Sequence, residues 1–196
     1  MTQSDEQLIA AVAAGDREAF AALYRRRRPD IYRFALHMTG VPAAAEDVAQ
    51  DVFLAVIKEA GRYTPGRSGV MPWLLGIARN HALRRITERR HEPLPEAGLE
   101  PAVRADPADG IARGQDIATL RAALASLPPV YREAVVLCDL QELSYQEAAD
   151  AVGCAIGTIR SRLHRGRGLL SEALRNERWT DTTARSNGMS RTRFVG

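Results

Sequence analysis

Lysine is almost missing from this 196-residue chain: of 27 basic residues only Lys58 is not arginine. Guanidinium pairs bidentately with phosphate and guanine and stacks on bases, so the bias points towards nucleic acid. Arginine- and alanine-rich coding from GC-rich DNA gives the same bias, so position must decide. Cysteine is scarce as well. Cys138 and Cys154 form no CxxC or Cys/His spacing, and His37, His81, His91 and His164 are scattered, which argues against a zinc site or a disulfide framework. The two thiols are expected to act as small buried hydrophobes, and no metal or cofactor is expected. No apolar run approaches the ~20 residues that span a bilayer, so no membrane insertion is expected. Residues 1–14 carry no basic stretch ahead of an apolar one, so no secretory leader is expected and the cytoplasm is the expected compartment. Paired carboxylates, a nucleophile–base pair and a phosphate loop are all missing, which argues against an enzyme. Finally, no stretch alternates in the manner of a strand, so the expected fold class is all-α.

What remains is helix-forming residues with clear punctuation. Ser4 to Gln7 has the form of a capping box for a helix ending near Gly15. Asp16 caps the next helix, where Phe20, Leu23 and Tyr24 recur at helical spacing. Pro29 is expected to kink or restart it before Ile31, Phe34, Ala35 and Met38, and Gly40 to close it. Pro42 suits the first turn of a helix over 42–60, followed by a Gly/Pro loop over 61–72 and a helix over 72–90. Composition then shifts. Residues 92–109 hold four prolines and five acids (Glu92, Glu96, Glu100, Asp106, Asp109) against Arg104 alone. The expected organisation is two small helical domains, 1–91 and 114–178, joined by a flexible acidic Pro-rich linker, 92–113, with a frayed tail over 179–196.

The segment 131–167 is the most informative. One helix is expected over 131–140, after Pro128 and Pro129. Ser144 to Glu147 repeats the capping-box pattern and opens a short helix over 145–152. Gly153 supplies a tight turn, and a third helix starts near Ile156. Ala149, Gly153 and Ile159 occupy the small, turn and buried-aliphatic positions of a helix-turn-helix. From Gly157 to Arg175 there are five arginines and one glutamate, the charge pattern of a helix that enters a major groove. An amphipathic bundle helix with a solvated basic face would show the same charges without the turn pattern.

At these residues the chain resembles the extracytoplasmic-function sigma factors of the sigma-70 family. The resemblance rests on Ser126-Leu127-Pro128-Pro129-Val130-Tyr131-Arg132, on Leu143-Ser144-Tyr145-Gln146-Glu147-Ala148-Ala149 and on Gly157-Thr158-Ile159-Arg160-Ser161-Arg162-Leu163. In the first half, Ala45-Glu46-Asp47-Val48-Ala49-Gln50-Asp51-Val52-Phe53 resembles the family's clamp-binding helix, and Trp73-Leu74-Leu75-Gly76-Ile77-Ala78-Arg79-Asn80 the start of its −10-reading helix. It departs at Ala155, where Pro is common, and at Gly166 and Gly168, which would each weaken a helix by about 1 kcal/mol relative to Ala.

The resemblance implies binding to core RNA polymerase through the β′ clamp helices and the β flap, to promoter DNA, and to an anti-sigma factor. Val48, Val52 and Val56 share one face of the 42–60 helix and are expected in the core. Glu46, Asp47, Gln50, Asp51 and Leu54 would then face the polymerase. Trp73, Leu74 and Ile77 are likewise expected in the core. Arg79, Arg84 and Arg85, with Arg89 and Arg90, would meet phosphates near the −10 element. The loop residues Tyr63, Arg67, Ser68 and Met71, together with Asn80, would grip a flipped base; Tyr63 capping the core is the plainer role. On the third helix Thr158, Arg160, Ser161, Arg162, His164, Arg165 and Arg167 would meet the −35 element, with Ile159 and Leu163 turned inward. The acidic linker would occupy basic polymerase channels or serve as a solubilising tether. The competing function is a stand-alone helix-turn-helix regulator that binds its operator as a homodimer.

Overall fold

The computed structural model describes residues 3–66, 68–91 and 111–188, with side chains described over 3–66, 68–89 and 116–176. Arg67, the expected linker acids Glu92, Glu96, Glu100, Asp106 and Asp109, and residues 189–196 lie outside the described residues.

Every described element is helical: α1 Asp5–Ala13, α2 Arg17–Thr39, α3 Pro42–Glu59, α4 Val70–His91, α5 Ile111–Ser126, α6 Pro129–Val135, α7 Tyr145–Val152 and α8 Ile156–Gly188. A 3-10 turn, Ala60–Arg62, follows α3, and α6 continues into a π-turn, Val136–Leu140. The starts follow local chemistry. Ser4 and Ser144 each form both bonds of a capping box, and Asp16 accepts from the amides of Glu18 and Ala19. Gly40 and Gly153 end α2 and α7 at φ of 72° and 73°, a left-handed conformation that glycine adopts without a Cβ penalty.

Three expectations need correction. Pro29 does not interrupt α2. It removes one backbone hydrogen bond, but Leu23 and Ile31 on either side are fully buried and hold the helix through it. The second half begins at Ile111 instead of 114. The helix expected to stop near 178 reaches Gly188, so the first part of the expected frayed tail is α8; no proline or glycine intervenes between Gly168 and Gly188 to end it.

α1 to α4 form one bundle, with Leu8, Leu23, Phe34, Val48, Val52, Val56 and Leu74 at its centre. Phe20, Tyr24 and Phe53 pack edge-on where α2 meets α3. α5 to α8 form the second bundle around Leu124, Leu127, Leu137, Ile159 and Leu163. The two bundles are in contact, and their buried residues form one continuous hydrophobic cluster. α4 packs on α7, and α2 on α5 and α6. Arg132, in the middle of α6, crosses this boundary: it donates to the Met38 carbonyl near the end of α2 and to the carbonyls of Ala125 and Leu127, at and just past the end of α5.

A histidine–arginine contact lies at the same boundary. His37 of α2 faces Arg121 of α5 and Arg33 of its own helix, and burial together with these two cations holds its pKa below the ordinary 6.5. A base whose folded-state pKa is lowered imposes no penalty while it is neutral. The penalty appears as pH falls through 6.5, where the separated or unfolded chain takes up a proton more readily. We therefore expect the melting temperature to fall between about pH 7 and pH 5.5, and His37→Gln to flatten that part of the profile relative to the parent chain. Parallel profiles for the two chains would show that His37 carries none of it.

Candidate nucleic-acid interface

The basic helix of the helix-turn-helix is the first half of α8. Ile159 and Leu163 are buried, as the spacing predicts, and they fix which face turns outward. Arg160, Ser161, His164 and Arg165 are exposed together on that face, with Thr158 half-buried at its start. The Arg160 guanidinium lies 5.8 Å from the centre of the Tyr145 ring, and Arg165 donates to the Tyr131 hydroxyl at 3.4 Å, so neither arginine is committed to a carboxylate. Two others are. Arg162 turns inward to Glu133 at 3.9 Å, and Arg167 is gripped through Nε and Nη2 by Asp139 at 3.0 and 2.6 Å. Four of the seven candidates thus share one exposed face, and two, Arg162 and Arg167, are tied to α6 and the π-turn.

The −10 candidates gather around the start of α4. Tyr63 is 9% exposed, donates to the Ser68 carbonyl at 2.9 Å and packs on Trp73 at 5.5 Å between ring centres. Met71 is half-buried against the core. Leu74 is in the core as expected, whereas Trp73 and Ile77 are half-buried and line a cavity of about 730 Å3 with Tyr63, Ser68 and Asn80. Asn80 is exposed, and its Oδ1 accepts from Arg79 at 3.2 Å. Of the arginines, Arg84 pairs with Glu88, and Arg85 with Asp51 and Asp47 of α3 at 3.4 and 3.7 Å. Arg79 does not face outward: it pairs with Glu133 of α6.

Glu133 was not anticipated as a functional residue. It is 1% exposed, and both Arg79 and Arg162 converge on it. Burial pushes its pKa above the usual carboxylate value, against the pull of Arg79 and then Arg162. Its only sequence signal is a lone acid between Arg132 and the uncharged run Ala134 to Cys138.

On α3, Val48, Val52 and Val56 are fully buried, as expected. Of the polymerase-facing candidates, Glu46 pairs with Arg28, and Asp47 and Asp51 share Arg85. Gln50 is exposed, Leu54 is 47% exposed, and Ile57, which the sequence analysis passed over, is 56% exposed. Gln50, Leu54 and Ile57 recur three and four residues apart and form a stripe with an apolar edge.

Family models for Sigma-70 region 2 and Sigma-70 region 4 match residues 23–92 and 117–170. The ECF RNA polymerase sigma factor SigE of Mycolicibacterium smegmatis is 39% identical over 180 residues, 87% of this chain and 69% of that protein. The probable RNA polymerase sigma-C factor of Mycobacterium bovis is 35% identical over 178 residues, covering 88% and 95%. Among solved structures, the sigma factor RpoE of Bartonella quintana, in complex with the anti-sigma factor NepR, superposes with a TM-score of 0.60 at 28% identity over 76% of this chain and 91% of that one. CnrH, in complex with the cytosolic domain of CnrY, shares the fold with a TM-score of 0.68 at 24% identity, covering 89% and 99%. The chain belongs to the extracytoplasmic-function RNA polymerase sigma factors. It is a promoter-recognising subunit that works with core RNA polymerase, and not an enzyme; the stand-alone regulator is set aside. No helix among the described residues is long and apolar enough to cross a membrane.

The glycines of α8 differ in what surrounds them. A Cβ on Gly166 would lie 2.8 Å from Val135 Cγ2 and 2.9 Å from the Tyr131 carbonyl oxygen, whereas one on Gly168 would meet nothing within 4 Å. Gly166 is therefore the residue that lets α8 close on α6, and the expectation that both glycines only weaken the helix holds at most for Gly168. Gly168→Ala should stabilise the chain by up to about 1 kcal/mol through helix propensity. Gly166→Ala should destabilise it by about 1–3 kcal/mol through overpacking. Chemical denaturation of the two variants checks this; equal stabilisation by both would mean that α8 does not approach α6 so closely.

Proposed function

We propose that residues 114–178 read the −35 element with Arg160, Ser161, His164 and Arg165, and that residues 1–91 bind the polymerase clamp and open the −10 element. The observation that carries the first assignment is the exposed, uncommitted face of α8, set by the burial of Ile159 and Leu163. Arg162 orients the helix, Thr158 meets phosphates at its start, and Arg167 adds phosphate attraction partly offset by Asp139. On α3 the stripe of Gln50, Leu54 and Ile57 docks on the β′ clamp helices, flanked by Glu46, Asp47 and Asp51. Arg84 and Arg85 meet duplex phosphates, and Asn80, Tyr63, Ser68 and Met71, with Arg67, receive a base flipped from the non-template strand. The second half also meets the β flap. Two further assignments rest on family likeness: an anti-sigma partner, as in the solved complex of RpoE with NepR, and the cytoplasm as the place of action.

Run-off transcription with core polymerase over a promoter library tests these roles together. Gln50→Arg should abolish co-purification with core polymerase while the chain stays folded. Asn80→Ala should impair permanganate-detected melting at −10 more than initial holoenzyme binding. Arg160→Ala and Arg165→Ala should relax −35 preference by about 1–3 kcal/mol per contacted base pair. A uniform affinity loss from the last two would show that they position α8 and do not read the DNA.

A further inference from the structure

The arginines of α8 differ in what holds them before DNA is met. Arg162 and Arg167 are held by carboxylates, whereas Arg160 is held by an aromatic ring, with its guanidinium 5.8 Å from the centre of Tyr145. Tyr145 is the first residue of α7 and is 39% exposed. It is not among the residues packed into the hydrophobic core, so packing does not explain a large ring at this place. Its backbone is fixed from both sides by the capping box. Ser144 Oγ accepts from the Glu147 amide at 3.2 Å, and the Glu147 carboxylate accepts from the Ser144 amide at 2.9 Å.

A second arginine lies against the same ring. Arg167 follows Arg160 by seven residues, two turns along one face of α8. Asp139 grips it through Nε and Nη2 at 3.0 and 2.6 Å. That pairing raises the Arg167 pKa above its ordinary value, and the Tyr145 phenol adds to the rise. Asp139, Arg167, Tyr145 and Arg160 are thus linked in series, from the π-turn to the first turn of the recognition helix.

The kind of partner matters to an arginine that must read a base. A free arginine side chain gives up rotamer freedom when it docks on a guanine edge, and any contact that fixes it beforehand removes part of that loss from the binding step. A carboxylate fixes the side chain firmly but competes with the base for the same donors, as Asp139 does at Arg167. A ring attracts the cation through its π face and brings no such acceptor, so the donors of Arg160 stay available.

We propose that Tyr145 is a positioning residue for −35 recognition, whose ring holds Arg160 ready to read its base pair, with the Asp139–Arg167 ion pair beside it as support. The inference rests on the reading role given to Arg160 above and names the side chain on which that reading depends.

Holoenzymes made from core polymerase and the full chain are compared by competitive selection from a duplex promoter library randomised over the −35 and −10 elements. Arg160→Ala marks the base pair that Arg160 reads. Tyr145→Leu, a change at an exposed site that leaves the core untouched, should lower preference at that same base pair by about two- to fivefold, as expected for loss of an exposed cation–π contact. Other positions should keep the parental preference. Tyr145→Phe keeps the ring without the hydroxyl and should give the parental profile. With Arg160→Ala already present, Tyr145→Leu should remove nothing further at that position. A Tyr145→Leu profile identical to the parent, or a loss spread evenly over all positions, overturns the positioning role. So does a Tyr145→Phe profile that matches Tyr145→Leu, because the hydroxyl and not the ring would then be the active part. An Arg160→Ala profile that matches the parent overturns the reading role itself and the proposal with it, so the two failures are told apart.

Discussion

A buried carboxylate organises this molecule. Glu133 sits at the junction of α4, α6 and α8, almost fully removed from solvent, with Arg79 from the first half and Arg162 from the recognition helix directed onto it. Desolvating a carboxylate costs several kcal/mol, and only paired, well-placed donors offset it. Its raised pKa says that the two arginines do not cancel the cost entirely. Such a group contributes little net stability, but it penalises any arrangement in which either arginine leaves without water or another donor taking its place. It therefore acts as a constraint on geometry: α8 is held in register on α6, and α4 is held against the second bundle.

The other constraints are steric and come from missing side chains. Gly166 brings α8 onto α6 and so sets the angle at which Arg160 and Arg165 face outward. Gly76 brings α7 onto α4 and so sets how the −10 candidates are covered. One glycine sets a close helix approach within the second bundle, and the other brings that bundle onto the first. Arg132 adds a third point, spending its donors on carbonyls at the ends of α2 and α5. The joint between the bundles combines continuous apolar packing with close backbone approach and a few charged ties.

The local elements were legible because they follow short-range rules. Capping boxes at Ser4 and Ser144, the left-handed glycines at 40 and 153, and the burial of Ile159 and Leu163 are all written within a few residues of themselves. What sequence reasoning missed depends on residues far apart in the chain. Pro29 reads as a break until Leu23 and Ile31 are seen buried beside it. Gly166 reads as a weak spot until Tyr131 and Val135 are seen against it, and Arg79 and Arg162 read as DNA contacts until Glu133 lies between them. Trp73 and Ile77 read as core because their period is right, yet they are half-buried, and what borders them is a cavity whose other wall is α7. Periodicity assigns a face to each residue but does not name its neighbour.

Glu133 couples the two halves through Arg79. A double-mutant cycle on unfolding free energy measures this directly, using Arg79→Met, Glu133→Gln and the double variant in the full chain. Each single change should be destabilising, and the cycle should return a coupling of about 1–3 kcal/mol, with Arg79→Met costing almost nothing once Glu133 is already glutamine. Additive effects, with coupling below about 0.3–0.5 kcal/mol, would contradict the account and mean that the two halves are held together without this pair.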